Sequence, residues 1–381
     1  MILKTLKLED FRNYKSLELN LSAKTTVLLG LNAQGKTNLL ESIAFLALGK
    51  SFRAVKSLDT LKWDSPHGRI RGVVEKNGRE TKLEVFLQRN PEMKKVKKGA
   101  KVEAPKSFLG NFRVVLFTPE HLGLIDGSPA ERRKYMDRLL LQLNDGYVES
   151  FSTFQRLLDH RNALLKLVSL GRARPPELDV WDTRLAVEAE KIWHARRSFM
   201  DFLGQTLNDD YQFMATPAPK TASKSTPKTL TLEYQINSAS YPERLAASRE
   251  NDLRNGATSL GPHRDDFTLL LAGHDLSKTG SRGEKRSAVL ALKIAERKFI
   301  EEKTGEKPVL LLDDVFSELD SSRQKRLAGL LTGYQSLIAT TSREHIKVLT
   351  DPLVYEVKNG TLKEVGQEDT STNITAGTGL S

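Results

Sequence analysis

Two periods of apolar and polar residues run along this chain, and the switch between them divides it. Near the N-terminus the period is two. Ile2 to Leu8 reads as a strand that enters a polar turn at Phe11-Arg12-Asn13-Tyr14, and Thr25 to Leu29 reads as a second strand. A glycine-rich loop follows, then an apolar run from Thr37 to about Leu48 that predicts a helix. Residues 69–89 alternate again, with Asn77-Gly78 as a hairpin turn. A further hairpin carries Lys94, Lys95, Lys97, Lys98 and Lys101, and Arg113 to Phe117 reads as a buried strand stopped by Pro119.

The period then lengthens. Ser128-Pro129-Ala130-Glu131 has capping-box spacing with proline at the first helical position, so a helix starts there. Phe151, Phe154, Leu158, Leu165 and Val168 share one helical face, and Trp181, Leu185, Ala189, Ile192, Ala195, Phe199 and Leu203 share another. The breaker Gly171 to Pro176 lies between them, which predicts an antiparallel helical hairpin, an arm rather than part of a sheet. Residues 215–229 are rich in Pro, Ser, Thr and Lys and read as a linker or mobile loop. Strand and helix then alternate: strands at Thr229–Ile236, Asp266–Leu271, Pro308–Leu312 and Ser336–Thr340, helices at Arg282–Glu302 and Ser321–Leu331. The polar tail 366–381 is expected to be disordered.

Composition narrows the class. The 381 residues allow two or three domains, and 39% hydrophobic with 28% charged residues fits a globular chain with a core. There is no cysteine, which excludes disulfides, thiolate metal sites and cysteine nucleophiles and fits a reducing cytosol. No apolar run is long enough for a membrane span, and the N-terminus lacks an apolar signal-peptide core. The net charge of +11 points to an anionic macromolecular partner, with nucleic acid foremost.

The sharpest chemistry is Gly30-Leu31-Asn32-Ala33-Gln34-Gly35-Lys36-Thr37, a complete G-x-x-x-x-G-K-T between a strand and a helix. Such a loop turns successive N–H groups toward phosphates and adds the positive end of a helix. Lys36 suits the β- and γ-phosphates of ATP, and the Thr37 hydroxyl suits Mg²⁺. The apolar strand Val309 to Leu312 ends in Asp313 and Asp314. Asp313 fits the Walker B role on Mg²⁺, and Asp314 fits the task of polarising the attacking water. The two motifs stand far apart in the chain, so the ATPase core is expected to be split by an insertion, the helical arm.

Gly280-Ser281-Arg282-Gly283-Glu284-Lys285 opens a predicted helix just before the Walker B strand. By itself this is a helix cap. Beside the other motifs it resembles the signature of ABC-type ATPases, in which the serine and helix N-terminus meet the γ-phosphate held by the opposite subunit; Ser281 and Gly283 are the positions concerned. Ser317-Glu318-Leu319-Asp320 resembles the D-loop of the same class.

With these motifs in order, the chain resembles the bacterial RecF family, in the SMC-like branch of ABC ATPases, over about residues 1–365. Further segments carry the likeness: Leu6 to Tyr14, Phe117-Thr118-Pro119-Glu120-His121-Leu122, Gly127-Ser128-Pro129 with Arg132-Arg133, Arg161 to Lys166, and Ser259 to Asp266. The resemblance implies an α/β fold, an ABC/SMC-type P-loop ATPase head split by an inserted arm. Residues 1–125 and 251–365 would form the lobes of the head and 126–250 the arm. It also implies an ATP-dependent homodimer on double-stranded and gapped DNA, slow DNA-stimulated hydrolysis, and cooperation with RecR and RecO to load RecA.

Several residues depart from that pattern or stay open. Family members often carry glutamines where this chain has Glu284-Lys285, and its second Walker B acid is aspartate where most ABC ATPases have glutamate. No histidine directly follows the strand ending Ala339-Thr340-Thr341-Ser342. His345 falls outside the expected sensor place, and Thr340 or Thr341 is the substitute. No clear Q-loop glutamine occurs near Glu120. Arg12 and Asn13 suit either a nucleotide contact or a polar turn. The lysine run of 94–101 suits either a DNA backbone or a solvated hairpin tip. Arg132, Arg133 and Lys134 near a helix start suggest an anionic partner or local ion pairs, and His263-Arg264 suggest function or a structural pair. An ABC ATPase serving a transporter is the alternative function. A GTPase or small kinase is disfavoured because there is no N-K-x-D and the Ser281 segment would go unexplained.

Overall fold

The computed structural model describes residues 1–143, 146–215, 228–236 and 238–365. Most of the expected linker at 215–229 and all of the expected tail at 366–381 lie outside the described residues. The chain divides into two compact units, one made of Met1–Val102, Leu116–Pro119 and the described part of Pro308–Ser381, the other of Glu103–Val115 and Glu120–Lys307.

The first unit is built on two sheets. One is antiparallel, in the order Tyr14–Asn20, Ile2–Phe11, His67–Lys76, Arg79–Gln88, Met93–Lys98, Lys101–Glu103. The other runs Thr361–Val365, Leu353–Lys358, Thr25–Leu29, Ser336–Thr340, Val309–Asp313, Val114–Phe117. In it Thr25–Leu29 lies parallel to both Ser336–Thr340 and Leu353–Lys358. These strands read as unbroken apolar runs because both faces are covered; Val27, Leu28, Leu311, Leu312 and Ile338 are all buried. The helix Lys36–Leu48 packs between the sheets, touching strands of each. Its apolar residues face all round, as expected of a helix with no solvent side, and each buried Leu, Ile or Phe there contributes about 1.5–3 kcal/mol.

Helices dominate the second unit: Pro129–Leu143, Tyr147–Ser169, Leu178–Ala215 and Arg282–Thr304, with a small sheet of His274–Asp275, Asp266–Leu271 and Leu230–Gln235. The predicted hairpin is present, and its expected apolar stripes are buried in the main but not throughout. Phe151, Leu158 and Val168 are only half-buried, and Trp181 sits at the margin, stacked on His160 at 5.1 Å between ring centres. Charged residues share the core with Phe154, Leu165, Leu185, Ala189, Ile192, Phe199 and Leu203. Arg161, wholly buried, donates to Asp182 (2.6 Å), Asp252 (2.7 Å) and Thr258 (2.8 Å). Arg196 donates to Asp265 (2.6 Å) and Asp137 (2.7 Å). A purely apolar periodicity misses such positions, since buried charges persist only when paired and hydrogen-bonded.

Residues 251–307, expected in the C-terminal lobe of the head, fall within this second unit. The reason is packing: Arg282–Thr304 lies along Leu178–Ala215, with Phe299 against Phe199 at 5.0 Å and Phe202 at 5.2 Å. The sequence reading also omitted the closing hairpin of the first unit, Leu353–Lys358 with Thr361–Val365.

Candidate nucleotide site

The P-loop leaves the strand Thr25–Leu29 at the C-terminal edge of the parallel strands, where sites in such sheets form. Its shape depends on Gly35, whose φ of 116° suits only glycine and whose Cβ, were there one, would lie 2.6 Å from Asn13 Nδ2 and 3.0 Å from Tyr14 Oη. That crowding defines what Asn13 and Tyr14 do. Asn13 Nδ2 donates to the Gln34 carbonyl (3.0 Å), and Tyr14 Oη donates to the Gly35 carbonyl (3.0 Å). The loop carbonyls are held from behind, which leaves the N–H side of Gly30 to Thr37 for an anion.

Lys36 Nζ donates to the carbonyls of Gly30 and Leu31, both at 2.7 Å. Burial lowers its pKa, while Asp314 and Asp313 act to raise it. Thr37 Oγ1 donates to Asp313 Oδ1 at 2.8 Å, so the two residues expected to hold Mg²⁺ already touch. Asp314 follows at φ 51°, anchored by its N–H to the Ala339 carbonyl (3.0 Å). Its Oδ1 is buried with no hydrogen-bond partner. An orphaned carboxylate oxygen beside a Thr–Asp pair and a lysine is a donor set that fits a metal-bound triphosphate and a water.

His345 is where the sequence reading did not expect it. Its Nδ1 pairs with Thr340 Oγ1 at 2.7 Å, and Asp314 is among the charges acting on it. Burial lowers its pKa, and Asp314 and Glu344 oppose that. The one-turn helix Arg343–His345 brings the ring back to Thr340. Thr341 is exposed.

Arg12 holds the P-loop helix. Its guanidinium grips Glu41, wholly buried on the P-loop helix, through Nε (2.9 Å) and Nη2 (2.7 Å), and reaches the Asp59 carbonyl through Nη1 (2.9 Å). The turn therefore buttresses the loop and its helix.

In the second unit, Ser281 caps the helix Arg282–Thr304. Its N–H and Oγ both donate to Glu284 Oε2 at 2.8 Å, and Glu284 N–H donates back to Ser281 Oγ at 3.3 Å. Lys228 holds the other carboxylate oxygen at 2.7 Å. Burial acts to raise the Glu284 pKa, but the bonds from Lys228 and Ser281 outweigh it and keep the group below its usual range. Gly283 is half-buried, and its carbonyl accepts from Ser287 Oγ (3.0 Å). Lys285 is tied to Asp126 (2.7 Å).

The weaker candidates make local contacts. Arg132 makes a two-point pair with Asp266 (2.6 and 2.9 Å), and Arg133 donates to the Asp265 carbonyl (2.9 Å). His263 Nε2 meets the Thr258 carbonyl at 3.0 Å, and burial takes its pKa down to about 4; Arg264 reaches the same carbonyl at 3.3 Å. Strand alternation splits the lysine run: Lys97 pairs with Glu84 (3.0 Å), whereas Lys94 donates to the Gly49 carbonyl (2.8 Å).

One element of the site was missed. The Asn359-Gly360 turn of the closing hairpin touches Gln34 through two N–H donors, Gly360 to its carbonyl (3.0 Å) and Asn359 to its Oε1 (2.8 Å). The signal was available: Asn-Gly between alternating strands, the pattern that identified the turn at residues 77–78.

Residues 2–362 match the model of the RecF/RecN/SMC N-terminal domain. The DNA replication and repair protein RecF of Lachnoclostridium phytofermentans is 33% identical, covering 96% of this chain and 100% of its own. That of Listeria monocytogenes serotype 4b is 34% identical with the same coverage. A solved structure of the recombination mediator protein RecF-ATPrS in the RecFOR pathway aligns with a TM-score of 0.86 at 31% identity, covering 96% of this chain and 98% of that one. An Smc head bound to the C-winged helix domain of ScpA shares the fold alone, with a TM-score of 0.57 at 15% identity over 96% of this chain and 97% of that one. Motif geometry, family model and full-length relatives agree: this chain belongs to the RecF/RecN/SMC family, an ABC/SMC-type ATPase fold, and within it to the RecF proteins of DNA replication and repair.

Proposed function

We propose that this chain is an ATP-dependent DNA-binding switch of recombinational repair, dimerising on duplex DNA near single-strand gaps and acting with RecR and RecO to load RecA. The observation that carries the reading is the buried, unpartnered Asp314 Oδ1 beside the Thr37–Asp313 pair at the P-loop. Solved relatives described with ATP and ATPrS support the nucleotide, and the net charge of +11 supports the nucleic acid.

In this reading Lys36 leaves the carbonyls of Gly30 and Leu31 for the phosphates. Thr37 and Asp313 would hold Mg²⁺, which when bound would neutralise phosphate charge. Asp314 orients the attacking water. Ser281 and Gly283 of a second copy complete the site, so two copies close around two nucleotides, and hydrolysis reopens them. Turnover is slow in this reading, since no clear Q-loop glutamine occurs near Glu120.

Molar mass by light scattering tests this, with Asp314→Asn used to suppress turnover. The mass should double with Mg·ATP, alone or with a short gapped duplex. A mass unchanged under both conditions overturns the dimer. Duplex binding should weaken steeply with salt; binding indifferent to salt overturns the phosphate-backbone reading.

A further inference from the structure

The P-loop presents N–H groups to an anion, so its carbonyls point away and need partners of their own. A loop of this kind is also costly to order on binding, and whatever orders it beforehand strengthens binding without touching the ligand. The Gln34 carbonyl has two donors, Asn13 Nδ2 (3.0 Å) and Gly360 N–H (3.0 Å), and the Gln34 side chain accepts from Asn359 N–H (2.8 Å). Two of these three donors come from the closing hairpin, 325 positions away along the chain in the case of Asn359.

The register puts the hairpin there. Leu353–Lys358 runs parallel to Thr25–Leu29, with Tyr355 beside Leu28 and Glu356 beside Leu29. Its end therefore tracks the first residues of the loop: a Cβ placed on Gly30 would lie 2.4 Å from the Val357 carbonyl oxygen. Asn359 and Gly360 then reverse the chain at φ 49° and 75°, the geometry of a two-residue turn with both residues left-handed. Gly360 packs so closely on the Arg12–Tyr14 turn that an added Cβ would lie 2.8 Å from the Asn13 carbonyl oxygen.

We propose that the Asn359-Gly360 turn is a positioning element of the nucleotide site: it holds Gln34 and Asn13 in register and so sets affinity for the nucleoside triphosphate. The inference rests on the reading of the P-loop as an ATP site. Neither residue touches phosphate in this role; both act through Gln34. Loss of such preorganisation weakens ground-state and transition-state binding alike, so Kd rises while kcat holds.

The molecule contains its own control. Asn77-Gly78 makes the same turn at φ 49° and 73°, with nothing within 4 Å of a Cβ on Gly78. Alanine at residue 78 or 360 therefore introduces the same backbone strain, but only at 360 does the new methyl press on Asn13. Full-length wild type, Gly78→Ala and Gly360→Ala are compared by calorimetric titration with Mg·ATP, by kcat at saturating ATP, and by Tm without nucleotide. Gly360→Ala should raise Kd about ten-fold with kcat within about two-fold of wild type. Gly78→Ala should match the wild-type Kd with a similar fall in Tm. Equal Kd in the two variants overturns the proposal. If Gly360→Ala does not fold, Gln34→Ala, which removes the acceptor for Asn359 together with the side chain's own bond to the Asn32 carbonyl (3.4 Å), should raise Kd about three-fold; an unchanged Kd overturns the proposal there. A wild type and Gly78→Ala that bind no ATP overturn the ATP reading itself, which separates the two failures.

Discussion

The P-loop helix Lys36–Leu48 and the helix Arg282–Thr304 both begin at a residue expected to face a phosphate, yet their N-termini are built in opposite ways. The first has Gly35 at its cap and no side chain over its N–H groups; the neighbouring residues bind carbonyls and leave the donors open. The second is closed by a reciprocal capping box, with Glu284 accepting from Ser281 and Lys228 holding Glu284. An open terminus is a binding site in waiting. A capped one is first a stable helix end, and it places a carboxylate where the proposed dimer needs an anion to approach. The difference suggests a division of labour: affinity resides in the P-loop, and the Ser281 end decides whether a second copy adds to it.

The largest effect should come from the open end. Lys36→Ala removes the cation from the loop and should raise Kd for Mg·ATP by about two orders of magnitude in a titration. Asp314→Asn should lower kcat by on the order of a hundred-fold with Kd unchanged, because the carboxylate acts on water and not on the bound nucleotide. At the capped end, Ser281→Ala should leave Kd of the single chain alone and abolish the ATP-dependent mass increase, with about 1 kcal/mol of stability lost with the cap. Normal dimerisation by that variant would show that the two termini are not partners. Glu284→Gln keeps the box and removes the charge, so the dimer should tighten, by roughly five-fold at low salt and less as salt rises. The smallest effect concerns pH. The folded pKa of Glu284 is lowered, so its contribution is complete above the ordinary glutamate range near about 4.3 and is lost as pH falls through the lower folded value. The urea midpoint of wild type should fall more between about pH 5 and 3 than that of Glu284→Gln.

How much of this was legible beforehand follows from what each signal encodes. The P-loop, both Walker B acids and the Ser281 cap are local patterns, and the sequence placed each on its element; the helix predicted at Arg282–Glu302 runs Arg282–Thr304. Long-range partners were not legible. Nothing near Arg12 announces Glu41, and nothing near Arg161 announces Asp252, because those pairs are set by packing between distant segments. The grouping by contacts differs from the grouping by motif order for the same reason: motif order sets residues 251–307 with the head, whereas Phe299 packs its helix on the long helix of the second unit. The Thr340–His345 contact was not legible because a one-turn helix changes direction within three residues, which periodicity does not register.

The central strand of the P-loop sheet has a history as well as a place. Thr25–Leu29 finds its two flanking strands only at Ser336–Thr340 and Leu353–Lys358, so during synthesis it is made early and paired late. Until the ribosome has released almost the whole chain, an apolar strand and an eight-residue phosphate loop wait without a sheet, exposed to wrong partners. The second unit, nearly all of it within Glu120–Lys307, is complete before those strands emerge. The order of translation therefore makes the helical unit the first folded body and the nucleotide site the last, and a chain cut short after residue 350 would carry every Walker residue and still lack one neighbour of the strand that presents them.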